Sequence, residues 1–225
     1  MGCRAGLTAL PRAFYLRPAV EVAPALLGKL LVHRTPEGAA AGMIVETEAY
    51  AGPYDKGAHS YGGRPTPRTA IQYGPGGYAY VFGIYGMYWC FNAVTGGPDQ
   101  PEVVLIRALA PVEGLPLMVR RRGTEDPVAL CNGPGKLCAA LGITKAQYGA
   151  DLCGGTLFIA PWREIPDGAI MTSPRINIDY AQEYRDVPWR YFLPGEAGVS
   201  RVPRRYRQSQ RPYAPALDRA LTGDV

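Results

Sequence analysis

Apolar positions 43–45 run into polar positions 46–48 in MIVETEAY (43–50), which reads as a strand that by its period of two carries Ile44, Glu46, Glu48 and Tyr50 on one face. Ahead of it, residues 20–32 (VEVAPALLGKLLV) group Ala25, Leu26 and Leu27 into a short helix that turns at Gly28 into a strand. Residues 51–77 lose all periodicity and fill with turn formers, and an irregular connection this long is uncommon in a compact domain unless it is functional. Two strands follow, 78–82 (YAYVF) and 87–94 (MYWCFNAV), joined through Gly83-Ile84-Tyr85-Gly86, whose flanking glycines fit a tight hairpin tip. Residues 103–109 (VVLIRAL) read as a strand interrupted by one arginine. Residues 112–123 and 136–141 (KLCAAL) read as helices, the second announced by Asn132-Gly133-Pro134-Gly135. Short strands are expected at 157–160 and 176–179, and a final one (WRYFL) within 188–202. The pattern predicts an α+β single domain with an antiparallel, curved or partly closed sheet and short helices around it. That domain spans 1–202, with 1–14 a loose leader broken by Pro and Arg; residues 203–225 read as a basic, disordered tail.

Composition narrows this picture. A chain of 225 residues with 47% in the hydrophobic set is long enough for one sizeable core and too apolar for intrinsic disorder. Gly (28) and Pro (22) make up about a fifth of it, which argues for many short elements and against a helical bundle. No apolar run approaches the ~18–20 residues of a membrane helix. The net charge of +5 resides mostly in the tail, where six Arg stand against two Asp in 201–225. The body is nearly neutral, so the basic balance says little about its partners. More telling is a local feature: between Lys56 and Pro98 stand Lys56, Arg64 and Arg68 and no acid. Five scattered Cys give neither a disulfide framework nor a zinc signature, and two His exclude a His-rich metal site. The N-terminus has no secretory layout, so a cytoplasmic, reduced protein is expected.

Chemistry concentrates in three places. Glu46 and Glu48 project from one strand face roughly 6.5–7 Å apart; a carboxylate in apolar company acquires a raised pKa or a strong partner, unless both simply face water. Arg107, inside an apolar strand, requires an anionic partner, and those two glutamates are the local candidates. His59 lies in the long loop, where it is either a surface histidine or a group that orients a substrate. The segment 78–92 is dense in aromatics, most of which suit a core. Ile84 and Tyr85 differ, because they fall at the hairpin tip, where burial in the protein's own core is hardest. An exposed apolar pair there fits an object inserted into something else, such as a base step of a duplex. The loop GGRPTPRT (62–69) sets Arg64 and Arg68 beside Thr66 and Thr69, groups that suit phosphate oxygens or plain solvation. NGPGKL (132–137) fails as a P-loop, since it lacks the GxxxxG spacing and a hydroxyl residue after Lys136.

Four blocks in one order, IVETEAYAGPYDKGAHSYGGRPTPRT, YAYVFGIYGMYWCFN, VVLIRALAPVEGL and NGPGKLCAALGI, closely resemble the alkyladenine/3-methyladenine DNA glycosylases of the methylpurine-DNA glycosylase type. The resemblance runs from about residue 15 to 202. It implies a barrel-like, mainly antiparallel sheet with a protruding β-hairpin, no cofactor and no metal. It further implies a monofunctional hydrolase, monomeric and nucleoid-associated, that removes alkylated or deaminated purines from double-stranded DNA. By motif, Glu48 would be the base that activates water, held with help from Arg107 and the main-chain carbonyl of Ile176. Tyr50, His59 and Phe82 would hold the flipped base, Asn92 would crowd the purine 2-amino position, and Tyr85, with Ile84, would plug the duplex. Arg64, Arg68, Thr69 and Lys136 would serve the DNA backbone. Two positions depart from the family pattern: Phe82 replaces a tyrosine, and TPRT ends in Thr69 instead of asparagine. Residue types alone leave rivals standing, namely a sugar O-glycoside hydrolase using Glu46 and Glu48, and a lesion-binding protein of this fold without catalysis.

Overall fold

The strand β2 (Gly38–Tyr50) is the axis of the molecule. In this computed structural model, which describes residues 6–200 and the backbone of Arg211–Pro212, β2 pairs with β5 (Glu102–Glu113) along one edge. Its other edge is shared by β1 (Leu30–Thr35) at the start and β8 (Arg190–Phe192) at the end. β3 (Ala79–Ile84) and β4 (Tyr88–Thr95) extend the sheet beyond β5; β7 (Met171–Ser173) and β9 (Arg211–Pro212) extend it beyond β8. β6 (Leu157–Ala160) pairs with β1. Every pairing is antiparallel, and the nine-stranded sheet is not closed into a barrel.

Short helices cover the sheet: α1 (Arg12–Tyr15), α2 (Ala19–Ala25), α3 (Leu115–Arg122), α4 (Pro127–Cys131) and α5 (Pro134–Leu141). Leu26, Leu27, Phe91, Ile106, Leu137, Leu141 and Trp189 meet in the main core. His33, the histidine outside the long loop, is buried in β1 with Nδ1 2.8 Å from the Leu141 carbonyl, where it serves the last turn of α5.

Several boundaries move for identifiable reasons. β5 runs on to Glu113 and Gly114 then takes φ 78°, so α3 starts later than the pattern suggested. The strand expected at 176–179 is absent: the extended stretch lies earlier, at β7, and Asn177 turns the chain with φ 61°. Of the leader, residues 1–5 lie outside the described residues; from Leu7 on it packs, with Leu7 and Ala9 on a small cluster and the Leu10 amide bonded to the Ile159 carbonyl. Of the tail, only Arg211–Pro212 is described, paired with β7.

Two local irregularities position the chemistry. Pairing between β2 and β5 shifts register at Ile44/Glu46 and again at Glu46/Thr47, where Ala108 and Ile106 are the successive partners and Arg107 is passed over. A bulge of this kind re-aims a side chain, here Arg107 toward the β2 carboxylates. The β3–β4 hairpin closes through Tyr85, Gly86 and Met87 between the paired Ile84 and Tyr88, with Tyr85 at φ 52° and Gly86 at φ 72°, both in the left-handed region that glycine adopts freely.

Candidate active site

A cavity of about 290 Å³ opens against the β3–β4 hairpin, near the small end of ligand pockets (about 300–1,000 Å³). Its wall unites Tyr50, His59, Phe82, Asn92, Arg107 and Ile176, with Ile84 and Tyr85 of the hairpin tip also on its surface. Residues far apart in sequence therefore line one cavity. Glu48 lies just behind the wall, fully buried, and is bonded by three of its members. Tyr50 donates its hydroxyl to Oε2 at 2.9 Å, Arg107 donates Nη1 to the same oxygen at 3.1 Å, and the Ile176 amide donates to Oε1 at 2.7 Å. The Ile176 amide thus positions the carboxylate, a contact that the motif reading, centred on its carbonyl, did not include.

Glu46 has a different station. Its Oε1 accepts Arg107 Nε at 3.0 Å and Arg190 Nε at 2.6 Å, and its Oε2 accepts the Ser200 amide at 2.7 Å. Burial alone would raise its carboxyl, but Arg107 and Arg190 outweigh that and hold it below the usual carboxylate range. Burial likewise opposes the charge on Arg107, and Glu48 and Glu46 more than restore it. Two of the three donors to Glu46, Arg190 and the Ser200 amide, lie off the cavity wall, whereas all three donors to Glu48 are wall members, so the two carboxylates are not an equivalent pair facing one cavity.

The aromatic wall is braced from behind. Arg175, fully buried, forms a bidentate pair with Asp55 (2.5 and 2.8 Å), donates to the Ala49 carbonyl at 3.0 Å, and stands 4.7 Å from the Tyr50 ring centroid. Asp55 also accepts the amides of Ala51 and Gly57, which anchors the loop that carries His59. A Cβ on Gly57 would sit 3.0 Å from the Arg175 guanidinium, so a side chain there would crowd the buried brace. This Asp55–Arg175 brace escaped the sequence reading; the available signal was an arginine in SPRI with apolar neighbours, the same signal that marked Arg107.

His59 stands beside Phe82 with ring centroids 4.6 Å apart, edge to face. Its Nδ1 is 2.9 Å from the Tyr80 hydroxyl and its Nε2 is 3.3 Å from Arg68 Nη2. A guanidinium only donates, so Nε2 accepts and Nδ1 carries the proton toward Tyr80. The surrounding protein, with Arg68 adding to it, pushes the His59 pKa down to about 4, which keeps the ring neutral at pH 7. Asn92 is buried and donates Nδ2 to the Tyr80 carbonyl at 3.0 Å, which fixes its amide within the wall.

The hairpin tip is free. Tyr85 is 84% exposed and Met87 70%, and Tyr88 joins them; Met87 and Tyr88 extend the apolar tip beyond the two residues singled out in the sequence. Tyr180, exposed on the cavity wall with its hydroxyl donating to the Gly57 carbonyl at 3.3 Å, was not singled out either. The loop residues scatter. Arg64 is exposed; Arg68 is at His59 and Phe82; Thr69 is buried, with its hydroxyl 2.9 Å from that of Thr66. Lys136 is exposed on α5, donating to Asn132 at 2.7 Å. Among the described residues no group of three His, Cys, Asp or Glu is placed to hold a metal ion, and no helix is long and apolar enough to cross a membrane.

Comparison with known proteins adds a lineage to this geometry. The family model described as Methylpurine-DNA glycosylase (MPG) matches residues 13–197. A Bacillus licheniformis protein named "Putative 3-methyladenine DNA glycosylase" is 50% identical over 192 residues, covering 85% of this chain and 96% of its own length. Proteins of the same name from Desulfitobacterium hafniense and Bacillus cereus are each 47% identical, over 199 and 201 residues, and cover 85% of this chain and 98% of their own length.

Proposed function

The chain belongs to the methylpurine-DNA glycosylase family, and on that premise we propose that it is a monofunctional enzyme of base excision repair, acting as a monomer in the cytoplasm on double-stranded DNA. It flips alkylated or deaminated purines (3-methyladenine, 7-methylguanine, hypoxanthine, ethenoadenine) out of the duplex and hydrolyses the N-glycosidic bond to leave an abasic site. The observation that carries this reading is the buried Glu48 carboxylate, bonded by Tyr50, Arg107 and Ile176 behind an aromatic cavity whose rim bears an exposed plug.

A base inside a duplex is out of reach, and extruding it costs a few kcal/mol. Tyr85, 84% exposed at the hairpin tip, enters the gap and replaces the lost stacking, with Ile84 beside it. The extruded base stacks between Tyr50 and His59 against Phe82, and Asn92 crowds the 2-amino group of normal guanine. As the glycosidic bond lengthens the sugar becomes oxocarbenium-like, and Glu48 stabilises that charge. A water at Oε1, whose protein donor is the Ile176 amide, gives its proton to Glu48 while attacking the sugar carbon. Arg107 and the Ile176 carbonyl hold that water. Arg64 and Lys136, both exposed, meet backbone phosphates.

The test is release of free base, in EDTA, from duplexes carrying hypoxanthine or ethenoadenine and from methylated DNA. The wild type is expected to release base and Glu48→Gln to do so at least about 100-fold more slowly. Lesion binding without release by the wild type would favour a sensor of the same fold; neither binding nor release would reject the reading.

A further inference from the structure

Arg68 approaches the cavity through His59 and Phe82. Its guanidinium carbon stands 4.9 Å from the Phe82 ring centroid, and its Nη2 donates to His59 Nε2 at 3.3 Å. Arg68 is itself exposed and stands outside the cavity wall; of two other guanidiniums at the site, Arg107 lines the wall and Arg175 stands behind Tyr50, and both are neutralised: Arg107 by Glu46 and Glu48, and Arg175 by Asp55. Among the described residues Arg68 has no carboxylate at ion-pair distance, and the stretch between Lys56 and Pro98 contains no acid. Its field is felt by groups on the cavity wall: it helps depress His59 and lowers Tyr80 and Tyr180 against the upward push of their burial.

We propose that Arg68 is a specificity-determining residue whose unpaired charge, set against the His59–Phe82 wall, biases excision toward purines that are neutral in DNA and away from those that are already cationic. This deepens the excision reading above and rests on it. Electron-rich rings alone favour a cationic base; the guanidinium beside two of those rings opposes it. The same charge acts again in the bond-breaking step. The glycosidic bond cleaves with its electron pair going to the purine nitrogen, while water oxygen bonds the sugar carbon and its proton passes to Glu48. A cationic lesion departs neutral. A neutral lesion departs with developing negative charge, later quenched by a solvent proton, and Arg68 stabilises that charge. Both effects shift selectivity in one direction.

The experiment measures single-turnover base release, at saturating enzyme, from two duplexes identical except for one hypoxanthine or one 7-methylguanine. Arg68→Gln keeps a donor for His59 and removes the charge; Arg68→Lys keeps the charge. The 7-methylguanine to hypoxanthine rate ratio is expected to rise about tenfold in Arg68→Gln and to stay within about threefold of wild type in Arg68→Lys. The ratio is internal to each protein, so a smaller folded fraction cancels. Equal losses on both duplexes would overturn the proposal and return Arg68 to a phosphate contact or a structural brace, as would a Lys variant shifted as far as the Gln variant. Release of neither base by the wild type would instead reject the excision reading on which it stands.

Discussion

Glu46→Gln isolates the buried charge network from the chemistry. Glu46 and Arg190 are fully buried, and the glutamate accepts three hydrogen bonds: from Arg107 Nε (3.0 Å), Arg190 Nε (2.6 Å) and the Ser200 amide (2.7 Å). A glutamine keeps one acceptor oxygen, and its amide group then faces a donor. The variant loses about two charge-assisted bonds, each contributing about 1.5–3 kcal/mol. Breaking a buried ion pair from one side costs about 3–5 kcal/mol by direct comparison, so the two routes agree. Arg107 retains Glu48, whereas Arg190 keeps, among the described residues, the Ser173 hydroxyl and the Ser200 carbonyl. In a chain this size 1 kcal/mol moves Tm by about 2–4 °C, which predicts a fall of roughly 6–20 °C. The pH dependence supplies the control. Because the folded-state pKa of Glu46 is lowered, the unfolded chain binds more protons in acid. The stability Glu46 contributes is therefore present above its unfolded value and is lost as pH falls through the folded one. Urea titrations at pH 7 should show the full deficit, and the variant's curve should converge on the wild type toward pH 3. A deficit under about 1 kcal/mol at pH 7, or one that does not shrink in acid, would refute the network described here.

Two other perturbations probe the site. Tyr85→Gly removes an 84% exposed side chain and relieves a positive φ, so stability should hold or rise slightly while the fluorescence change of an ethenoadenine leaving the stack disappears; a wild-type signal would deny Tyr85 its role as plug. Asp55→Asn unpairs the fully buried Arg175 and loosens the loop bearing His59, so it should destabilise by about 3 kcal/mol or more in urea and raise KM for a hypoxanthine duplex; unchanged values of both would show that the brace does not support the wall.

What the residues announced and what they hid divides along physical lines. β2 and the β3–β4 hairpin were legible because period two and paired glycines are local signals. The partnership of Arg107 with Glu46 and Glu48 was legible because a charge in an apolar strand has few ways to be satisfied. The bulge that aims Arg107 was not, since register depends on both strands at once. Nor was the strand at β7, whose three residues have no pattern long enough to detect, while the neighbouring 176–179 carries a stronger local strand signal. The separate stations of Glu46 and Glu48 were hidden for the same reason: period two puts both on one face, and only the third dimension shows that Arg190 and Ser200 claim one of them. The loop's arginines and threonines suggested a phosphate role for Arg68, and its place against Phe82 and His59 was not legible because it depends on where the fold carries the loop.

The β3–β4 ribbon acts as a ruler. Tyr85 stands in the turn that joins the two strands carrying Phe82, Cys90 and Asn92 of the cavity wall, registered Phe82 to Cys90 and Tyr80 to Asn92. At about 3.3 Å per residue, the plug leads Phe82 by roughly 10 Å, a distance set by backbone hydrogen bonds instead of by side-chain packing. On the excision reading proposed above, this span sets the depth to which a nucleotide must travel against the gap it leaves behind. Exchanging side chains that face the cavity would then change which base is read without disturbing that measure. Inserting or deleting a pair of residues in both strands would change it by close to the thickness of two stacked bases, about 7 Å, and would uncouple prying from reading in a single step.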